Sequence, residues 1–496
     1  MVAPEVEPLP PREAWEEPPP DGWGSHLGGL GLETLAVLGG LAAAIGGGKL
    51  FALAWRLGAE PVHSGWDWAE LVLLWGSCFL LGAALIAVVW RRLGGLALLG
   101  AMLTDHGRVA RFGGRPPIWL DEAPATALRL AHLSDLHLTE GNQVRMAERA
   151  TPGGNLALAA LLARPELRQA DAVVITGDVT DRGTARSWQR ARELIDAAGI
   201  ADRVVLVPGN HDLSLIDPWG GWRDPAGHWR RNDRFGIVQL ANLLKFCETF
   251  AATAGGRRGS VLDVASGQAL PYRDAWAACE REVRPVINDL PHQQVPRQHL
   301  GHGFFARFRQ RRAYARRIWL ARRHLLRLFP VAVPLPGSDA VMFVLNSCTP
   351  VARHPATNAL GRVGRSQYRR LDRLAALFPQ PIKLLALHHH VVRRAEEQAH
   401  NLRSRIVAKF TVLGDAPPLV RFCRKYDVRA VLNGHRHLSY QLRLPNGTVL
   451  MAAPSSTIGD ELAHDPRPQF DRYDIAPAPS APTVGIYRRV VRIERG

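Results

Sequence analysis

The chain has 496 residues, 47% of them hydrophobic and 22% charged, with 62 Lys and Arg against 45 Asp and Glu. That length exceeds one small module, and that apolar content excludes disorder throughout. A net charge of +17 asks for an anionic partner, whether nucleic acid, membrane surface or substrate; five scattered cysteines with no C-x-x-C pair exclude a disulfide framework and a thiolate zinc site and fit a reducing compartment.

Seven prolines fall within residues 1–25, so residues 1–30 are expected to be a disordered tail without the basic start of a secretory signal. Residues 31–102 are expected to form a transmembrane hairpin. Its stronger span is 71–90, twenty uncharged residues, enough to cross a hydrocarbon layer of about 30 Å. The weaker run, 35–55, carries Lys49 and three consecutive glycines and either spans or lies on the membrane. Arg91, Arg92, Arg108, Arg111 and Arg115 follow the second span, while Glu60, Asp67 and Glu70 lie between the two. The excess of flanking positive charge places everything after Trp90 in the cytoplasm, anchored to the inner or plasma membrane.

After a linker at 103–126 the texture changes. The segments 128–135, 170–178, 202–210, 341–347, 382–389, 428–435 and 448–453 read as short buried strands, and 185–199 and 366–378 have helical spacing. Strand and helix in alternation predict an α/β fold, a layered arrangement of sheet and helices, over 127–496.

Polar residues stand just after these strands, where open α/β sheets bind ligands: Asp135 and His137 in SDLH, Asp178 in TGDVTDRG, Asn210 and His211 in PGNHD, His388 in ALHHH, and His435 and His437 in NGHRH. Carboxylates, an amide and imidazoles without a thiolate suit Mn, Fe, Zn or Co better than calcium. A lone His or Asp at a strand end is usually a satisfied polar group, but five such motifs in order are not. In D-x-H the two side chains of an extended segment share one side and can converge.

This series resembles the calcineurin-like metallophosphoesterases, whose D-x-H, G-D, G-N-H-[DE], H and G-H-x-H pattern is met over roughly residues 128–460. The resemblance implies a layered β-sandwich flanked by helices and two divalent or trivalent metal ions. One would be held by Asp135, His137 and His437, the other by Asn210, His388 and His435, with Asp178 bridging. It also implies that His211 faces the substrate phosphate and aids the leaving group. Val391 stands where the family usually has proline, so His388 is taken as the ligand with His389 as the alternative. Two cations of this kind lower the pKa of a shared water, orient the resulting hydroxide toward phosphorus and neutralise phosphate charge. Thr180, Asp181 and Gly183 are expected to shape the turn after Asp178, and Asp212 to hold His211.

A cap or insertion is expected at about 214–335. Within it, residues 301–330 hold nine Arg and no acidic residue. Phe304, Phe308, Ala315, Ile318, Trp319, Leu325, Leu326 and Phe329 give an apolar stripe beside them. The segment is expected either to pack on its own domain or to lie on anionic membrane lipid. Residues 351–410 carry a further excess of nine positive charges.

The expected function is a membrane-anchored binuclear phosphoesterase acting on a phosphodiester or pyrophosphate of a lipid or lipid-linked substrate. A cyclic-nucleotide phosphodiesterase is the alternative. A nuclease and a non-catalytic module are disfavoured, and nucleic acid is an unlikely partner because no extended basic aromatic groove is present.

Overall fold

The computed structural model describes residues 115–139, 143–146, 149–152, 154–213, 221–223, 229–231, 237–289, 304–348, 360–392, 411–460, 463, 467–477 and 484–493. The tail and both apolar runs expected to meet the membrane, 35–55 and 71–90, lie outside these residues. Among the described residues no helix is long and apolar enough to cross a membrane.

Aliphatic segments that can be buried on both faces form parallel strands, and here they build two sheets. The six-stranded sheet has the order β1 (Ile118–Trp119), β18 (Val484–Arg492), β17 (Gln469–Pro477), β2 (Leu128–Leu133), β5 (Ala172–Ile175), β6 (Val204–Leu206). Strands β2, β5 and β6 run parallel, with α1 (Gly154–Leu162), α2 (Pro165–Gln169) and α3 (Ala185–Ala197) in the crossovers. The start of α3 is set by Thr184, whose side chain accepts from Ser187 N, an ordinary N-cap. Short ribbons β3 (Gln143–Met146) with β4 (Arg149–Pro152), and β7 (Gly221–Arg223) with β8 (Trp229–Arg231), stand apart from both sheets.

The eight-stranded sheet has the order β10 (Ala269–Pro271), β9 (Ser260–Leu262), β11 (Val331–Leu335), β12 (Ala340–Val344), β13 (Ile382–Ala386), β14 (Val428–Asn433), β16 (Val449–Ala452), β15 (Tyr440–Arg443). Its central strands β12, β13, β14 and β16 are parallel. Period-two alternation divides their side chains between two cores. Met342, Val344, Leu384 and Leu432 share a cluster with Leu130 and Val174 of the other sheet. Val341, Phe343, Leu385 and Val431 pack instead with Leu371, Leu374, Leu419 and Phe422 of α8 (Arg365–Ala376) and α9 (Ala416–Lys425). The sheets thus form the middle layers, with helices outside.

Within 214–335 lie α4 (Ile237–Ala252), α5 (Ala254–Arg258), α6 (Tyr272–Asp289) and α7 (Phe304–Arg327). The segment does not stand off from the domain. Strands β9 to β11 belong to the eight-stranded sheet, and Phe246, Phe250, Tyr272, Val283 and Leu325 join the core between the sheets. Aromatic contacts tie it together, with Phe250 and Tyr272 edge to face at a centroid distance of 4.7 Å and Phe246 and Phe329 tilted at 6.1 Å.

The apolar stripe expected on α7 needs correction. Ile318, Ala321, Leu325 and Leu328 are buried, whereas Trp319 is 55% exposed. Three- and four-residue steps from Ile318 reach Ala321, Leu325 and Leu328, and Trp319 falls on the opposite side. Leu325→Ala should therefore destabilise the protein by about 3 kcal/mol and Trp319→Ala by less than about 0.5 kcal/mol, as read by denaturant unfolding; equal effects would contradict this orientation.

Candidate metal centre

The side chains singled out in the sequence meet where the C-terminal ends of strands from both sheets face one another. Asp135 and His137 follow β2, Asp178 follows β5, and Asn210 and His211 follow β6. His388 follows β13, and His435 and His437 follow β14. Of the six non-glycine residues with positive φ among the described residues, five belong to this set: Asp135 (53°), His137 (48°), Asp178 (50°), His435 (81°) and His437 (51°). The D-x-H segment is therefore not extended. Its two side chains converge through left-handed turns, a conformation costing of order 1 kcal/mol or more per residue.

Two groups result. In the first, Asp135, His137 and His437 place ligand atoms within 4.8 Å of one another. His137 Nε2 lies 3.3 Å from His437 Nε2, which lies 3.3 Å from Asp135 Oδ1. In the second, formed by Asp178, His388 and His435, His388 Nε2 stands 3.2 Å from Asp178 Oδ2, 2.8 Å from Asn210 Oδ1 and 3.1 Å from His435 Nδ1. His388 Nδ1 faces Thr176 O at 2.7 Å; donating a proton there leaves Nε2 as a lone-pair donor toward the centre, the outer hydrogen bond usual for a ligating imidazole.

The donor set fits metal ions. Asp135 Oδ1 is buried without a hydrogen bond, and a cation placed among it and the two imidazole nitrogens 3.3 Å apart would take up the lone pairs of all three. The field points the same way. Burial works against charge on His388, yet the Asp178 carboxylate carries its pKa up to about 9. Burial pushes His137 down to about 3. Burial would raise Asp135, but His437 holds it at about 2. Nitrogen and hard oxygen without sulfur suit Mn, Fe, Zn or Co.

His388 rather than its neighbour reaches this group. His389 Nδ1 is 2.9 Å from Ser347 Oγ, and its Nε2 is buried without a partner. His211 is set apart by access: its side chain is 19% exposed, against 1% for His137 and 0% for His388. Its backbone N–H donates to Asp178 Oδ1 at 2.8 Å. Its Nδ1 lies 3.1 Å from Asp181 O and 3.4 Å from Asp181 Oδ1, leaving Nε2 for whatever enters. Burial lowers the His211 pKa, but Asp178 and Asp181 together raise it above the ordinary histidine value.

The roles expected of Asp181 and Asp212 are therefore exchanged. The Asp212 carboxylate accepts from Thr180 N (2.8 Å), Thr180 Oγ1 (2.9 Å), Gly209 N (3.0 Å) and Val179 N (3.3 Å), joining two loops, while Asp181 holds His211. The carboxylate three residues after Asp178 was the available signal. Burial and the Asp178 charge push Asp212 up to about 6.

Outer contacts fix the remaining turns. Ser134 Oγ donates to Asp135 Oδ2 (2.5 Å), as does His435 N (2.9 Å), and Ser455 Oγ donates to Asp135 O (2.8 Å). Two residues beyond His437, Ser439 Oγ accepts from Arg488 Nη2 at 2.6 Å, and the same Arg488 is paired with buried Asp471 at 2.8 Å. The C-terminal hairpin of one sheet thus braces a loop of the other, a connection that no motif announced.

The family model for calcineurin-like phosphoesterases matches residues 128–328. A glycerophosphodiester phosphodiesterase, GpdQ, of Enterobacter lignolyticus is 30% identical over 139 residues, 27% of this chain and 47% of that protein. A probable cyclic nucleotide phosphodiesterase of Coxiella burnetii is 34% identical over 85 residues, 17% of this chain and 32% of that protein. The chain thus spans about half or less of the length of these curated relatives. A solved dimetal phosphatase from Danio rerio aligns at 11% identity with a TM-score of 0.34, covering 74% of this chain and 99% of that one.

A close backbone approach in the centre gives a direct test. A Cβ on Gly209 would collide with Asp178 N and Oδ1, so Gly209→Ala should weaken metal binding about 10–100-fold; calorimetric titration with Mn²⁺ checks this, and unchanged affinity would contradict the packing described.

Proposed function

Residues 128–328 match the family model for calcineurin-like phosphoesterases, and on that likeness we propose that the chain is a membrane-anchored binuclear metallophosphoesterase hydrolysing a phosphodiester or pyrophosphate of a lipid or lipid-linked substrate. One observation carries the hydrolase reading: Asp135, His137, Asp178, Asn210, His388, His435 and His437 converge from two sheets, with His211 at their accessible side. Asp135, His137 and His437 would hold one ion, Asn210, His388 and His435 the other, and Asp178 would stand between them. Bound there, the ions would supply Lewis acidity toward phosphate oxygens and a nucleophile at neutral pH.

The protein's own groups do the rest. Asp178 has one carboxylate oxygen fixed by His211 N and the other beside His388 Nε2, so the bridge and the acid are positioned by the same residue. Asp181 receives the His211 Nδ1 proton in its hydrogen bonds, which orients Nε2 toward the substrate. Protonated His211 then donates to the departing oxygen as the P–O bond breaks.

The membrane part rests on the uncharged run 71–90 and the Arg residues that follow it, which put the catalytic unit on the cytoplasmic side. The phosphodiester part draws on the named activities of the relatives, among them a glycerophosphodiester phosphodiesterase. Two further relatives are named cyclic-nucleotide phosphodiesterases, which favours a cyclic nucleotide as the second reading. Metal analysis with turnover of bis-p-nitrophenyl phosphate tests the mechanism. Wild type should hold about two metals, Asp178→Ala should lose metal, and His211→Ala should keep metal and turn over about 10²–10⁴-fold more slowly. Full activity in either variant would refute it, and turnover of cyclic AMP but not of detergent-dispersed lipid phosphodiesters would select the second reading.

A further inference from the structure

Exposed Arg residues line two helices, α7 and α8. On α7, Arg316, Trp319, Leu320, Arg323 and Arg327 are exposed, and at the angular step of an α-helix they fall within about 100° of its circumference. Ile318, Ala321 and Leu325 on the other side are buried. Trp319 and Leu320 are 55% and 37% exposed, and the Arg323 guanidinium lies 5.5 Å from the Trp319 ring centroid. An aromatic ring, an aliphatic side chain and cations are thus presented together. No acidic residue occurs anywhere in Phe304–Arg327.

Helix α8 packs in the other core and meets α7 only at its end. Arg370 donates to Phe329 O at 2.9 Å and to Leu326 O at 3.0 Å, tying α8 to the C-terminal end of α7. Burial, with Arg327 from one helix and Arg369 from the other, brings the Arg370 pKa down to about 10, so the two basic segments meet at this joint. Beyond it Arg365, Arg369 and Arg373 are exposed at four-residue spacing, and Leu377, just past the helix end, is 38% exposed.

We propose that the exposed face of α7 docks on an anionic lipid bilayer. The proposal rests on the membrane-bound reading above and names the partner of that enzyme. Charge complementarity selects an anionic surface, since Arg316, Arg323 and Arg327 can each reach a separate headgroup phosphate. The exposed Trp319 and Leu320 select lipid among anionic surfaces, because an indole flanked by Arg suits the boundary between headgroups and acyl chains.

The full-length chain reconstituted into vesicles of phosphatidylcholine, alone or mixed with phosphatidylglycerol, tests this by amide hydrogen exchange at 316–327. Exchange should be several-fold slower in the anionic vesicles, and high salt should remove much of the difference. The triple variant R316E, R323E, R327E should lose the difference while turning over soluble bis-p-nitrophenyl phosphate like wild type. Trp319→Ser, which leaves charge unaltered, should reduce it. Equal exchange in both vesicles, or a difference that survives the triple variant, would overturn the proposal. So would protection that appears equally with duplex DNA, or that follows protein concentration without regard to lipid; these would assign the face to nucleic acid or to a second copy of the chain. Turnover of the soluble diester reports on the hydrolase reading separately, because that substrate needs no membrane.

Discussion

The Asp178 carboxylate is where the two sheets become one site. One oxygen accepts from the backbone of His211, which follows β6, and the other lies 3.2 Å from His388 Nε2, which follows β13. A buried carboxylate among buried imidazoles is costly, of order several kcal/mol per uncompensated charge. That cost explains the surroundings: Asp212 clasps the loops on one side, Ser134 and Ser455 hold Asp135, and Arg488 reaches across from the C-terminal hairpin to Ser439. Five ligand candidates in the left-handed region add strain at the same spot. Strain and desolvation concentrated on one group of converging donors are what a site prepared for cations requires.

Electrostatic organisation extends outward from that centre. The overall charge of +17 is carried mostly by Arg, and the two richest segments meet where Arg370 caps α7. The centre therefore combines a compact negative element, Asp135 and Asp178, with a broad positive exterior. An anionic ester approaching such a molecule is attracted at long range by Arg, whereas the carboxylates are reserved for cations.

Much of this was legible in the sequence because buried parallel strands are short aliphatic runs and their ends are polar. The segments 128–135, 170–178 and 428–435 predict β2, β5 and β14 to within a few residues, and each candidate ligand follows such a run. What escaped was set by tertiary partners. Strands β17 and β18 contain Asp471, Arg472, Arg488 and Arg489, polar residues that disguise two strands linked by the pair of part-buried Arg488 with buried Asp471. The exchange of roles between Asp181 and Asp212 depends on how two loops close over each other, which spacing does not encode. Apolarity puts Trp319 on the stripe with Ile318 and Leu325, but the helix phase set by Ile318, Ala321 and Leu325 turns it outward.

The central claim is that residues from both sheets build two adjoining cation sites around Asp178. Anomalous diffraction at the manganese absorption edge from crystals grown with Mn²⁺ tests it most directly. The account predicts two peaks, one among Asp135, His137 and His437 and one among Asn210, His388 and His435, with Asp178 in contact with both. A single peak, or peaks away from these residues, would contradict it.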